Sequence, residues 1–568
     1  MPHLRGASLR WAPFFIILLL TVPVCAGLIG TLAPALGWYP SLGGQSLSLA
    51  PAKALLAWPG LKHSALLSAT TGLVSTLIAL GLCIWVVAAW QGTWLFRLIE
   101  RMLSPLLSVP HAAAAFGLAF LIAPSGWIAR ALSPWATGWT RPPDVLIVQD
   151  PLGLALIAGL VVKELPFLLL MTLAALAQVD ANRSRLVAQP LGYGRIVGWL
   201  KTTFPAVYAQ IRLPVYAVLV YGITVIDMAV ILGPTRPATL SVQIATWVSD
   251  PDLSLRFQAA AGALLQLMIV ILALVLWRLG ERAVAHLGRA WAQSGRRGRR
   301  GDSVARGIGL GLAGLGGSTV LFGLIGLAIW SFAGLWRFPD ALPSTFRLTT
   351  WMRAADGLWS ATVETMVIGA VATVLALGAV MTCLESESRH NVRMTTRALF
   401  ILYLPLLVPQ IAFLPGLQSL ALLTGLEGGR ASVVLAHVLF VFPYVFLSLA
   451  DPWRSFRRTD ILSAAVLGAG PNRVLFAVRL PLMLRAVLTA AAVGFAVSVG
   501  QYLPTLLIGG GRVETLTTEA VALASGGNRR VIGVYALAQI LSPLLAFSLA
   551  PLVLALLYRK RLGMAVNR

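Results

Sequence analysis

Twelve apolar runs recur along the chain near 12–32, 64–88, 104–123, 152–178, 206–232, 257–280, 307–332, 358–383, 398–420, 431–450, 484–508 and 531–558. A helix of about 20 such residues crosses about 30 Å of hydrocarbon. Only 11% of the residues are charged and 58% are hydrophobic, where a soluble domain carries about 25% charge. The pattern predicts an all-α polytopic membrane protein with lipid around it.

Placing both termini in the cytoplasm puts 29 of the 44 lysines and arginines on that side and 13 outside, with Lys163 and Arg212 inside spans. Cytoplasmic loops are enriched in these residues, so the opposite orientation is rejected. The acids divide eight and nine and do not discriminate. The net charge of +24 is therefore mostly topological, dispersed over short loops rather than gathered for nucleic acid. The first run reads as a spanning helix rather than a cleaved leader, because it continues past Cys25-Ala26-Gly27. Cys25, Cys83 and Cys383 sit singly inside spans and suggest neither a disulfide framework nor a metal cluster.

The most polar stretch between two runs, Glu281 to Arg306, divides them six and six. Sliding the second half back by 276 positions places Leu467-Gly468 on Leu191-Gly192, Pro481 on Pro205 and Gly509 on Gly233. The same register sets Arg512 on Arg236, Thr515-Leu516 on Thr239-Leu240 and Ser525 on Ser249. Further upstream the offset drifts, but Pro110 and Pro409 share similar contexts, as do Pro166 and Pro443. Six spans return each half to the same side, which makes the repeats parallel. The expected organisation is a first repeat at 1–280, a basic cytoplasmic linker at 281–306 and a second repeat at 307–568.

Between the fourth and fifth runs of each half lies a polar segment, AQPLGYGRIVGWLKTTFP ending at Pro205 and SAAVLGAGPNRVLFAVRLP ending at Pro481. Both hold a glycine and a proline thirteen positions apart. Gly192 and Gly468 suit a sharp turn and close backbone approach, and Pro205 and Pro481 suit the start of the following span, where a missing N–H costs little. The pattern resembles the cytoplasmic loop of bacterial ATP-binding-cassette importer permeases, whose coupling helix enters a groove on the ATPase subunit. Ala188, Leu191, Gly192 and Pro205 match in one copy, and Ala464, Leu467, Gly468 and Pro481 in the other. The family's glutamate is replaced by Leu186 and Leu462. Val499 to Arg530 also resembles the fused two-domain permeases of the thiamine and ferric-iron group.

None of the five lysines, Lys53, Lys62, Lys163, Lys201 and Lys560, follows a glycine as a phosphate-binding loop requires. No HExxH or GxSxG signature occurs. The chain is not expected to be an enzyme or to hold a cofactor. Ionisable residues within spans cost about 2.5–3.5 kcal/mol each and point to a pathway; here they are Lys163, Glu164, Asp227 and Glu364. Ties between helices are the competing reading of these four. As a path, three acids and one lysine favour a cationic or zwitterionic solute. His111 and His437 are read as satisfied interior histidines, and Pro110, Pro166, Pro409 and Pro443 as helix kinks.

The resemblance implies an importer's transmembrane subunit in a bacterial inner membrane, working with two ATPase subunits and a periplasmic substrate-binding protein on a small-molecule solute. Thiamine, a related small cation and ferric iron all stay open. An ion-coupled secondary transporter with two six-helix halves is the alternative, and it has no need of a repeated docking loop.

Overall fold

The computed structural model describes residues 7–179, 190–298, 301–390, 395–425 and 428–558. Among them no strand forms beyond two isolated bridges, Tyr39 with Gly44 and Ala333 with Phe346. In hydrocarbon each backbone N–H and C=O needs a partner within the protein, and a helix supplies one segment by segment. Among the described residues ten helices are long and apolar enough to cross a membrane. The bent pair Pro471–Leu482 and Leu484–Val499, at 77°, makes an eleventh.

The first half comprises α1 (Ala12–Ala35), α2 (Leu61–Trp90), α3 (Trp94–Ser108), α4 (His111–Ile122) and α5 (Leu154–Gln178). It continues through α6 (Arg195–Thr202), α7 (Phe204–Thr224), α8 (Asp227–Leu232), α9 (Leu240–Ser249) and α10 (Leu255–Gln293). The second comprises α11 (Asp302–Phe332), α12 (Thr349–His390), α13 (Gln410–Leu423), α14 (Arg430–Arg454) and α15 (Arg458–Val466). It closes with α16 (Leu484–Val499), α17 (Leu503–Gly509), α18 (Leu516–Ala524) and α19 (Arg529–Leu557).

Four of the apolar runs are not single helices. Pro110 and Pro409 do more than kink: each is an extended residue at the head of a new helix, α4 or α13. Val109 and Val408 before them are extended too, as steric clash with a following proline favours. Between α7 and α8 the chain breaks at Val225 and Ile226, where a β-branched run weakens the helix without any proline or glycine. The corresponding break between α16 and α17 falls at Gly500 to Tyr502. Pro166 and Pro443 lie inside continuous helices.

The contacts repeat in pairs. α1 packs on α13 and α11 on α4, so the first span of each half crosses to the third run of the other. Glycine makes both crossings close: a methyl on Gly30 would lie 2.5 Å from the Gly416 carbonyl oxygen, and one on Gly117 3.1 Å from the Gly323 carbonyl carbon. Small residues are what allow helix backbones to approach where lipid offers no hydrophobic drive. The repeated Thr-Leu pairs start α9 and α18. In each, the leucine N–H donates to a hydroxyl from the second span of its own half, Leu240 to Ser68 at 2.8 Å and Leu516 to Thr365 at 2.9 Å. Outward, α10 presents Met268, Ile271, Leu272, Val275 and Leu276, all about half exposed or more, a surface suited to acyl chains.

Candidate functional site

Each repeated polar segment is a glycine turn followed by a helix on the arginine-rich side of the bundle. In the second copy the turn can be followed atom by atom. α15 ends at Val466, and Gly468 takes φ +82°. The Gly468 N–H reaches the Ala465 carbonyl at 3.0 Å, and the Ala469 N–H reaches that of Ala464 at 3.0 Å. These two bonds close a helix with left-handed glycine and satisfy carbonyls that would otherwise be orphaned. Gly192 takes φ +78° in the first copy. The expected close backbone approach is not the reason for either glycine. A methyl on Gly468 would meet nothing within 4 Å, and one on Gly192 only Arg297, at 3.4 Å; the conformation is what requires glycine.

Downstream, Pro205 lies in the first turn of α7, as expected. Pro481 sits one step earlier, in the short helix Leu480–Leu482 ahead of the bend into α16. Ala188 lies outside the described residues, as does Leu186. Leu191 is 55% exposed, while Val466 and Leu467 are 86% and 87% exposed and Phe476 67%.

Sequence reasoning missed what holds these segments. In the first copy the Trp199 indole N–H donates to the Gln91 side chain at 2.8 Å, and Arg195 donates to the Gln91 carbonyl. Gln91 caps the end of α2. In the second, Arg479 is buried at 4% exposure, donating to Glu385 at 2.8 Å, to Ser388 at 3.0 Å and to the Trp453 carbonyl at 2.7 Å. Arg389 bonds Glu385 at 2.8 Å and reaches Asn472 at 3.2 Å. Glu385 and Arg389 are on the last turns of α12. Each repeated segment is therefore clasped by the end of the second span of its own half. The Glu385 and Arg389 pairing at i, i+4 was the available signal, hidden because α12 runs on to His390 where a loop was expected.

Of the four ionisable candidates, two come together. Glu164 on α5 lies 3.6 Å from His111, the first residue of α4. The His111 ring packs 4.8 Å from Tyr221, whose hydroxyl donates to Asp227 at 3.4 Å. Glu164 and Asp227 are each only 7% exposed. Lys163 turns elsewhere: its ammonium donates to the Val109 carbonyl at 2.5 Å and the Leu107 carbonyl at 3.3 Å. Those carbonyls were released by the break at Pro110. Glu364 is held by Arg430, with bonds of 2.7 Å to each carboxylate oxygen. His437 is satisfied as expected, by Ser498 at 2.7 Å and Thr505 at 2.9 Å. His111 instead keeps a side chain 32% exposed beside Glu164.

The repeat supplies a comparison. Aligned on Pro166 and Pro443, Lys163 and Glu164 correspond to Phe440 and Val441, and Asp227 corresponds to Leu503. The second half builds the same elements with apolar side chains at these places, so the fold itself does not demand the two acids.

No family model matches the chain. It is 32% identical over 560 residues to the inner membrane ABC transporter permease protein YnjC of Escherichia coli strain K12, covering 96% of this chain and 98% of the relative. Shorter stretches resemble the molybdenum transport system permease protein ModB of Mycobacterium bovis, 33% identical over 25% of this chain and 59% of the relative. The spermidine/putrescine transport system permease protein PotC of Haemophilus influenzae is 28% identical over 22% of this chain and 49% of the relative.

Proposed function

The chain belongs to the family of inner-membrane ABC transporter permeases, and from that premise we infer how it couples ATP hydrolysis to import. It is a multi-pass permease subunit of an importer. Its two halves, 1–280 and 307–568, form one path about a pseudo-twofold axis, and the segments around Gly192 and Gly468 dock two ATPase subunits on the cytoplasmic face. ATPase closure moves both segments. Each pulls on the second span that clasps it, through Gln91 or through Glu385 and Arg389, and the path changes the side to which it opens. A periplasmic binding protein delivers the solute.

The observation that carries this reading is the double occurrence of one device. Two left-handed glycines stand thirteen residues before two prolines, each device is fastened to a second span, and each bears outward apolar residues. Expressed with its neighbouring genes, the tagged chain is expected to retain an ATP-hydrolysing subunit through purification. Recovery of the chain without one, with uptake driven by an ion gradient, sinks the reading.

Orientation is tested separately. A reporter fused after Gly295 is expected to be cytoplasmic and one inserted between Gly510 and Arg512 periplasmic; the reverse result overturns the assignment of the docking face. The partial relatives belong to molybdenum and to spermidine/putrescine systems, so they do not fix the sign of the solute. Glu164 and Asp227 favour a cation.

A further inference from the structure

The two docking segments are built alike but are not held alike. The difference is the linker. In the first copy the Gly194 N–H donates to the Arg297 carbonyl at 2.8 Å, and the Ile196 N–H donates to the Asp302 carboxylate at 3.1 Å. Lys201 donates to the Arg296 carbonyl at 2.9 Å, its ammonium 4.7 Å from the Trp291 ring and 5.2 Å from that of Tyr193. The Gly194 and Ile196 contacts satisfy N–H groups at the start of α6 that have no partner within the helix. Asp302 is also the first residue of α11, which packs on α4 and α2. Two indoles near the end of α2 fasten the start of α11 further: Trp85 donates to the Ala305 carbonyl at 2.9 Å and Trp90 to that of Arg306 at 3.0 Å.

Gly194 and Gly470 are equivalent under the 276-residue repeat, and their backbones nearly coincide, φ −60° and ψ 156° against φ −67° and ψ 164°. Any residue adopts those angles. Their surroundings differ completely: a methyl on Gly194 would collide with the Gly298 carbonyl, whereas one on Gly470 meets nothing within 4 Å.

We propose that the linker between the halves is a working part of the first docking segment, bracing α6 and passing its movement directly into α11 of the second half. The proposal rests on the docking reading above. Its consequence is that the two ATPase contacts are mechanically unequal. The second segment acts through α12 and, by the Arg479 bond to the Trp453 carbonyl, through α14 of its own half, while the first acts through α2 and, by way of Asp302, across the pseudo-twofold axis. Asp302 is a positioning residue here, an acceptor for the Ile196 N–H.

The test uses the complete transporter, permease with ATPase and binding protein, in lipid bilayers, reading ATPase association and binding-protein-stimulated hydrolysis. Gly194→Ala and Asp302→Ala are expected to keep the ATPase bound but to lower stimulated hydrolysis about fivefold or more, the low end of measured coupling between sites. Gly470→Ala is the matched control and is expected to behave as wild type. Asp302→Asn keeps an oxygen acceptor and is expected to restore stimulation, which a general loss of stability would not allow. Wild-type stimulation in both Gly194→Ala and Asp302→Ala overturns the proposal, as does an equal loss in Gly470→Ala. Should Gly194→Ala reduce the amount of permease in the membrane, the Asp302 pair decides. Gly192→Glu and Gly468→Glu, run in parallel, separate the two ideas. Loss of ATPase from them with no effect of the linker variants removes the linker proposal alone, and retention in all of them removes the docking reading with it.

Discussion

Membranes carrying Gly468→Glu are expected to contain normal amounts of the permease but to lose most of the associated ATPase and its stimulation by the binding protein, and Gly192→Glu is expected to behave likewise. The expectation follows from two properties of one residue. Gly468 occupies φ +82°, where a side chain costs of order 1–3 kcal/mol. Relief of that strain unwinds the α15 end that displays Val466 and Leu467. Glutamate also puts a charge beside two apolar residues proposed to enter a partner's groove, where an unpaired charge would add to the loss. Space is not at issue, because a methyl added at Gly468 would have nothing within 4 Å of it. Gly468→Ala therefore separates the contributions: it carries strain without charge, and its loss of association is expected to be partial. The measurement is recovery of ATPase with tagged permease at matched membrane levels. Normal recovery with both glutamate variants means these segments are not the docking elements.

The insertion of these segments was legible because two signals act over short distances. Length and apolarity mark spans, and a glycine forced into left-handed geometry leaves a residue choice that shows twice. The breaks were less legible. Pro110 and Pro409 advertised an irregularity, but whether a proline bends a helix or ends it depends on what captures the freed carbonyls. At Pro110 that is Lys163, 54 residues from Val109 along the chain. The break at Val225 and Ile226 carries no proline or glycine at all. Gln91 with Trp199 and Glu385 with Arg479 join residues 108 and 94 positions apart, a separation at which local pattern carries no information. The linker misled in the other direction. Glycines and arginines around Gly295 read only as a basic linker, whereas the Arg296 and Arg297 backbone carbonyls, which no sequence pattern displays, bind α6 and its N-cap Gly194. Lys163 and Glu364 were grouped with the path by burial and charge; their contacts tie them to the Pro110 break and to Arg430.

That sorting sets the terms for the second large effect. Glu164→Gln and Asp227→Asn are each expected to lower solute uptake by about tenfold or more, which corresponds to about 1.4 kcal/mol, with the permease inserted and the ATPase bound as in wild type. Both acids are buried, and Glu164 has His111 beside it at 3.6 Å. Lys163 directs its ammonium to the Val109 and Leu107 carbonyls rather than to either carboxylate, so a cationic solute passing between α4, α5 and α8 would meet carboxylates not engaged by it in a salt bridge. Tyr221 supplies a hydroxyl to Asp227 and a ring face to His111 at the same place. The amide variants keep size and one oxygen acceptor while removing the charge. Lys163→Met serves as the contrasting case: it strands the Leu107 and Val109 carbonyls, at about 1–3 kcal/mol for a buried group left without its partner, and is expected to reduce the amount of folded permease rather than its uptake per molecule. Uptake assays normalised to membrane content distinguish the two patterns. If Glu164→Gln and Asp227→Asn both transport normally, the acids are ties between helices. If they instead deplete the membrane as Lys163→Met does, their role is in holding α4, α5 and α8 together, and the solute is recognised elsewhere.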